Sequence, residues 1–179
     1  MKIIIEGEVL NKVLSAAGKT KRESMLNTIS LAKVNNELEL AGTNGFVLAV
    51  YHQPITELED VADDLKLALT FPKKFKANPR KKYIIESKDT DYILIGEEGR
   101  EYLSKSESAF PNYNTIIPAD LDKLPKAEKF TLFRADAWEI AYKILGEDLY
   151  THPIGKSENV PHFWKVNNWL VCIMPMRMK

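Results

Sequence analysis

The residue types that most often carry catalytic chemistry are few in this chain and widely spaced. The three histidines, His52, His152 and His162, show no metal-ligand spacing such as H-E-x-x-H. The single cysteine, Cys172, lies in an apolar run, where a thiol is more often a small hydrophobic group than a nucleophile. The sequence contains neither a G-x-x-x-x-G-K-[ST] nor a G-x-G-x-x-G loop that would hold a nucleotide phosphate. It therefore predicts no metal, no cofactor and no enzymatic activity.

A run of cations, FPKKFKANPRKK at residues 71–82, is the most distinctive charged segment. It holds six basic residues and no acidic one. Such a run can bind phosphate groups without reading base sequence, and the alternative is an ordinary solvated face. The whole chain has 25 basic and 25 acidic residues, which argues against a protein that simply coats nucleic acid. Phe71 and Phe75 within the run are predicted to pack rather than to stack on bases.

The final segment, WLVCIMPMRMK at residues 169–179, begins as an apolar strand and has three methionines among its last six positions. Terminal segments are usually polar and frayed. Methionine is unbranched and polarisable, so it suits a surface that adapts to different guests. These methionines either cap the protein's own core or form part of a binding surface, and we expect the binding surface.

Composition indicates an ordinary globular protein, with 45% hydrophobic and 28% charged residues in 179. This length allows one ample core or two small ones. One cysteine cannot form an intrachain disulfide, which favours a reducing compartment. The first residues, MKIIIEGEVL, are too short an apolar run for a signal peptide, and no stretch approaches the roughly 20 apolar residues of a membrane span. We expect a cytoplasmic protein with no membrane partner.

The first part of the chain predicts a strand, a helix and three further strands. Residues 2–6 are β-rich, and residues 8–17 place apolar side chains on one stripe of a helix. Strands are then predicted at 27–34, 37–40 and 46–51, because apolar and polar residues alternate there. An acidic loop at 57–64 separates this unit from the next one.

The same pattern then recurs. A strand is predicted at 65–70 and a short helix at 71–77, with Pro72 in its first turn. Further strands are predicted at 83–87, 92–96 and 101–106. The Pro-rich stretch 109–125 is typical of a linker.

A third, shortened round closes the chain. A strand is predicted at 129–133, a helix from an N-cap at Asp136 to Gly146, and a hairpin of 162–166 with 169–174. Three passes of one unit of about 60 residues indicate a repeat. The pattern predicts an α+β fold with helices on one face of antiparallel sheets.

Three stretches of the chain resemble the bacterial DNA polymerase III β subunit, the sliding-clamp family. They are "MLNTISL…NNELELAGTNGFVLAV", "FPNYNTIIP" and "WLVCIMPMRM", and they occur in the family's order. The resemblance implies a sliding-clamp fold and a part in DNA replication as a processivity factor. It matches residues 1–115 to the middle clamp domain, 116–125 to a linker, and 126–179 to the C-terminal half of the last domain. Because the family's remaining parts have no counterpart here, a closed ring of the usual form is not implied, although several copies could assemble as a homo-oligomer.

The resemblance also implies a groove between the middle and last domains that binds short Leu- and Phe-rich peptides of DNA polymerases or repair proteins. Matched motif by motif, its positions are Leu26, Thr43, Gly45, Phe46, Val47, Leu48, Pro111, Thr115, Ile116, Cys172, Met174 and Met176. Phe46 and Val47 stand where His and Arg are common, and Thr115 stands where a basic residue is frequent, so we expect a more apolar groove. For Leu26, Leu48 and Ile116 the alternative is an ordinary core position.

Clamp helices line a channel and offer cations to the phosphates of double-stranded DNA, independent of sequence. The corresponding candidates here are Lys12, Lys19, Lys21, Arg22, Lys73, Lys74, Lys76, Arg80, Lys81, Lys82 and Lys143. Two other functions remain open. The first is a decoy that competes for clamp-binding partners without encircling DNA, and the second is an enzyme that reuses the fold, for which the sequence offers no candidate residue.

Overall fold

The computed structural model describes residues 1–18, 27–54, 58–59, 61–88, 91–106, 109–126, 133–151, 153–155 and 160–175. Within these ranges the chain forms two α-helices and eleven strands. The helices are α1 (Gly7–Ala16) and α2 (Ala135–Leu145). The strands are β1 (Lys2–Glu6), β2 (Thr28–Val34), β3 (Glu37–Thr43), β4 (Val47–Pro54), β5 (Leu58–Glu59), β6 (Lys66–Thr70), β7 (Lys82–Lys88), β8 (Asp91–Gly96), β9 (Gly99–Lys105), β10 (His162–Val166) and β11 (Trp169–Ile173).

All eleven strands belong to one antiparallel sheet in the order β10-β11-β4-β3-β2-β6-β9-β8-β7-β1-β5. Asparagine supports two of the hairpin turns of this sheet. Asn35, Asn36 and Asn167 all have a positive φ, which this residue tolerates well. β11 pairs with β4 from Trp169 opposite Tyr51 to Ile173 opposite Val47. The last strands therefore continue the sheet of the first part without a break, and the division at 115 and 126 stays a prediction.

The two faces of the sheet carry two separate hydrophobic clusters. Both helices pack into the larger cluster, which we call the helix-side core, and none of their residues belongs to the smaller one, the outer cluster. Alternation along β4 divides its side chains between the two: Val47 and Ala49 belong to the helix-side core, and Leu48 and Val50 to the outer cluster. The prediction of an α+β fold with helices on one face is confirmed.

The predicted helix at 71–77 is wrong. The segment makes a single turn, in which Phe75 N donates to Pro72 O at 2.9 Å, and then runs on irregularly to β7. The side chain of Asn11 on α1 takes both backbone groups of Ala77, with Nδ2 donating to its O at 2.7 Å and its N donating to Oδ1 at 2.9 Å. These contacts occupy the backbone groups of Ala77 that a helix would bond within itself. Pro79 disfavours helical backbone at Asn78, so a helix could not continue beyond Ala77.

Three smaller predictions near the ends of elements also have an outcome. α2 begins at Ala135 with Arg134 in the capping position, so the predicted N-cap at Asp136 is wrong. The acidic loop contains the short strand β5, which sequence alternation did not reveal. The predicted strand at 129–133 lies almost wholly outside the described residues. Neither described helix is long and apolar enough to cross a membrane.

Candidate peptide groove and nucleic-acid surface

The outer face of β4 and β11 is crossed by residues 109–126, which we call the strap. The strap contains two single-turn 3-10 helices, Tyr113–Thr115 and Leu121–Lys123, each of which buries one side chain against the sheet. The outer cluster that results comprises Ala41, Leu48, Val50, Tyr113, Leu121, Phe163, Leu170 and Cys172. It is therefore assembled from β3, β4, the strap and the closing hairpin.

A hydrogen bond from Tyr113 fixes the strap to the sheet. The Tyr113 hydroxyl donates to Glu39 Oε2 at 2.9 Å, and the Nδ1 atom of His52 lies 3.6 Å from Glu39 Oε1. Burial, followed by the charge of Glu39, raises the pKa of the Tyr113 hydroxyl well above its usual value. The phenol thus stays protonated at neutral pH and remains a donor to the carboxylate.

Three of the predicted groove residues meet on this face. Leu48 is 3% exposed and Cys172 is 1% exposed, so both form its base, and Met174 packs half-buried beside them. The backbone N of Met174 donates to Phe46 O at 2.9 Å, which continues the β4–β11 pairing past Ile173. Burial raises the pKa of the Cys172 thiol to about 12, so it acts as an apolar group and not as a nucleophile.

The turn before β4 presents a ring at the edge of the face. Thr43 Oγ1 donates to Val47 O at 2.7 Å, and Asn44 Oδ1 accepts from the backbone N of Phe46 at 2.9 Å. Gly45 has a φ of +85°, a conformation that side-chain-bearing residues rarely adopt. This locked turn leaves Phe46 39% exposed.

The strap supplies the remaining exposed groove positions, namely Pro111, Thr115 and Ile116, the last of which is 38% exposed. Val47 does not join them. It is 1% exposed and lies in the helix-side core, because neighbouring residues of a strand point to opposite faces. Leu26 and Met176 lie outside the described residues.

One residue of this region was missed by the sequence reasoning. The guanidinium carbon of Arg134 lies 4.1 Å from the centroid of the Phe46 ring, a cation–π contact. Two hydrogen bonds to Asp136, from Nε at 2.9 Å and from Nη2 at 2.8 Å, hold it there and lower the pKa of that carboxyl. A charged group therefore lies against the ring of Phe46. No local pattern links Phe46 to a residue so distant in the chain.

The lysines of the 71–82 run stand beside α1 on the helix side. Lys73, Lys74, Lys76 and Arg80 are exposed, and within the described part of the chain none of them forms an ion pair. Phe71 is buried and Phe75 packs half-buried against the helix-side core, so both pack as predicted.

The last two cations of the run lie where β7 begins. Lys81 pairs with Glu97 at 2.6 Å, which raises its pKa, and Lys82 is the first residue of β7. Lys19, Lys21 and Arg22 lie outside the described residues.

The candidate lysines of the two helices are neutralised by carboxylates. Lys12 pairs with Glu8 at 2.8 Å, and its Nζ lies 5.7 Å from the Trp169 ring centroid. Lys143 pairs with Glu139 at 2.7 Å. The exposed residues of α2 and the turn after it include the acids Asp136, Glu139, Glu147 and Asp148. Among the described residues, no cluster of His, Cys, Asp and Glu could hold a metal ion.

Comparison with known proteins gives a clear result at the level of the fold. No family model and no curated protein matches the sequence. A DNA polymerase III β subunit from Borrelia burgdorferi, solved with a natural product, superposes with a TM-score of 0.64 at 16% identity over 100% of this chain and 63% of that one. The Thermotoga maritima β subunit gives 0.62 at 13% identity, over 100% of this chain and 66% of that one.

The Helicobacter pylori β clamp bound to a DNA ligase peptide gives a TM-score of 0.64 at 12% identity, over 99% of this chain and 66% of that one. This chain thus spans slightly less than two thirds of the length of the clamps it superposes on. At these identities the likeness establishes the architecture. The predicted resemblance is confirmed to that extent: this chain has the fold of the bacterial DNA polymerase III β subunit, the sliding clamp.

Proposed function

We propose that this chain is a sliding-clamp-like accessory protein of DNA replication or repair, which binds short peptide motifs of polymerases or other partners on its outer face. One observation carries the proposal. In a clamp fold, half-buried apolar side chains of the strap and of the end of β11, among them Ile117 and Met174, pack on a buried base of Leu48 and Cys172, and Phe46 and Ile116 are exposed. The peptide-bound clamp from Helicobacter pylori supports this kind of partner.

The chemistry of the outer face favours a short apolar peptide of modest affinity. Each Leu or Phe anchor that a peptide buries would contribute about 1.5–3 kcal/mol. After the entropy of association is subtracted, two or three anchors give a dissociation constant on the order of micromolar. Met174 suits this role because its flexible thioether repacks around guests of different shape.

The helix side supports a second, sequence-independent contact with the DNA backbone. Lys73, Lys74 and Lys76 offer exposed ammonium groups without an ion pair in the described part of the chain. Cations of this kind bind phosphates by releasing counterions, so the affinity should fall steeply with salt. Such contacts position a protein on a duplex without selecting a sequence.

The groove is tested by titrating a fluorescein-labelled Leu/Phe-rich peptide and measuring anisotropy. Met174→Ala removes an adaptable wall, and Ile116→Glu places a charge at an exposed position, so each should weaken binding by about tenfold or more. Tyr102→Ala is the matched control, since Tyr102 is an exposed aromatic residue on β9, separated from β4 by three strands. Thermal unfolding checks that each variant is folded. Unchanged affinity in both groove variants would contradict the proposal.

A second function is favoured by the ion pairs of the helices. Because Lys12 and Lys143 are already bound to Glu8 and Glu139, the helix side offers DNA fewer cations than the sequence suggests. A decoy that binds clamp partners without encircling DNA would have this property. Sedimentation with nicked circular DNA separates the two. A clamp is retained on the circle and lost when it is linearised, whereas a decoy binds peptide and is retained on neither.

A further inference from the structure

A hollow of about 460 Å³ lies beside α1, between the helix and the lysine-rich turn. Its walls combine two kinds of side chain. Leu14 and Phe75 provide apolar surface, and Lys73, Lys74 and Lys76 line it with cations. A volume of this size falls within the range of small-molecule sites in proteins, about 300–1,000 Å³.

The hollow exists because the turn is fixed at both ends and is not a helix. At one end Phe71 N donates to Asn27 O at 2.9 Å, and at the other the Asn11 side chain binds both backbone groups of Ala77. Asn78 N donates to the Tyr83 hydroxyl oxygen at 2.7 Å. A Cβ on Gly7 would collide with the Asn78 carbonyl oxygen, so the start of α1 and the chain after the turn approach closely. Residues 72–76 therefore stand beside α1 as a preformed wall.

The groups that line the hollow are available to a ligand. Phe75 is half-buried, with its ring centroid 5.5 Å from Phe71 and 6.0 Å from Tyr83, so its neighbours hold the ring in place. In the described part of the chain the side-chain amide of Asn27 has no hydrogen-bond partner, and Lys74 has no ion pair. A fixed ring, an amide and three ammonium groups are the elements with which proteins bind a base and its phosphate.

We propose that this hollow binds one unstacked nucleotide, with the base against Phe75 and Leu14 and the phosphate among the three lysines. The proposal rests on the nucleic-acid part of the proposed function, because both use the same lysines, and it is independent of the peptide groove. It adds a specific expectation: a single-stranded end or a free nucleotide should bind in a way that a blunt duplex does not. Backbone contacts alone need no aromatic group.

The test uses the full chain, labelled with ¹⁵N and titrated separately with four probes. These are deoxyadenosine monophosphate, inorganic phosphate, a twelve-nucleotide single strand and a blunt twelve-base-pair duplex. We expect the nucleotide and the single strand to shift the amide signals of residues 11–15 and 73–76. Inorganic phosphate should bind at least about tenfold more weakly, because it lacks a base to stack. If the single strand binds and the free nucleotide does not, the ligand is a nucleotide within a strand. If both bind alike, the ligand is the nucleotide itself.

Two variants separate base stacking from charge. Phe75→Leu should weaken nucleotide binding by about tenfold and leave the binding of inorganic phosphate and of the blunt duplex unchanged. Phe75→Tyr should keep nucleotide binding at the level of the unchanged chain. Lys74→Gln should weaken all four probes, whereas Lys66→Gln, at the far end of β6, should weaken none. If Phe75→Leu has no effect while Lys74→Gln weakens single strand and duplex equally, the inference is wrong and only the backbone contact stands. If none of the four probes binds, both the nucleotide site and the DNA-backbone contact are wrong. The peptide titration then still tests the groove separately.

Discussion

The two sides of α1 carry similar numbers of charged residues and arrange them differently. On one side Lys73, Lys74 and Lys76 stand on an irregular turn with no ion pair in the described part of the chain. On the other side, α2 holds Lys143 against Glu139, and further carboxylates follow in the next turn. The neighbours of a lysine therefore decide whether it can bind phosphate. A carboxylate already paired with the lysine supplies the negative charge that a DNA phosphate would otherwise supply.

Secondary structure is the reason for the difference. In a helix, residues four apart lie on the same face, so Glu139 and Lys143 meet at 2.7 Å in the same way as Glu8 and Lys12 meet at 2.8 Å. The 71–77 segment has no helical spacing and contains no acid. We therefore expect DNA to be bound on the turn side of α1 and hardly at all on the α2 side.

Charge reversal should give the largest contrast. Exchanging Lys73, Lys74 and Lys76 for Glu should abolish DNA association at low salt. The milder exchange to Gln should make the negative slope of log affinity against log salt shallower by about 2.7, or 0.9 for each lost phosphate contact. Filter binding over a salt series measures both. Lys143→Glu is the control and should change DNA affinity little. Equal losses from the two sides would end the distinction between them.

Removing the support of the turn should have an intermediate effect. Asn11→Ala deletes both hydrogen bonds to Ala77 and should lower the free energy of unfolding by about 1–3 kcal/mol, because the backbone groups of Ala77 lose their partners. Urea unfolding gives this value, and DNA affinity should fall severalfold as the lysines lose their fixed position. Ser15→Ala, one turn further along α1, removes only a bond within the helix to Lys12 O and serves as the comparison. A stable Asn11→Ala variant with full DNA affinity would show that the turn needs no such anchor.

Releasing a paired lysine should have the smallest effect. Glu139→Gln frees Lys143 from its ion pair, and we expect DNA affinity to rise by about twofold, since one exposed pair of this kind is worth little. Glu101→Gln on β9 removes an exposed acid at the opposite part of the sheet and corrects for the change in net charge. If both exchanges raise affinity equally, net charge explains the result and the pairing of Lys143 does not.

The local elements and the outer-face motif could be predicted because each depends on nearby residues. The spacing of apolar residues predicts α1 and the alternating strands. The Asn-Asn pairs predict hairpin turns, because asparagine tolerates the positive φ values that these turns have. The motifs around Leu48 and Met174 resemble a family strongly enough to place both at one site, and they do meet in the outer cluster. The same motif matching grouped Val47 with its neighbour Leu48, although strand alternation alone puts the two on opposite faces.

The sequence by itself determined α1, α2 and the alternating strands, and hence the α+β class, because those choices rest on interactions within a few residues. Only the tertiary structure decided what lies beside them. The Asn11 side chain bonds both backbone groups of Ala77 at the end of the 71–77 segment, and the Arg134 guanidinium lies against the ring of Phe46. These contacts join residues far apart in the chain. Their energies depend on geometry that exists only once the sheet has formed, so no local pattern encodes them.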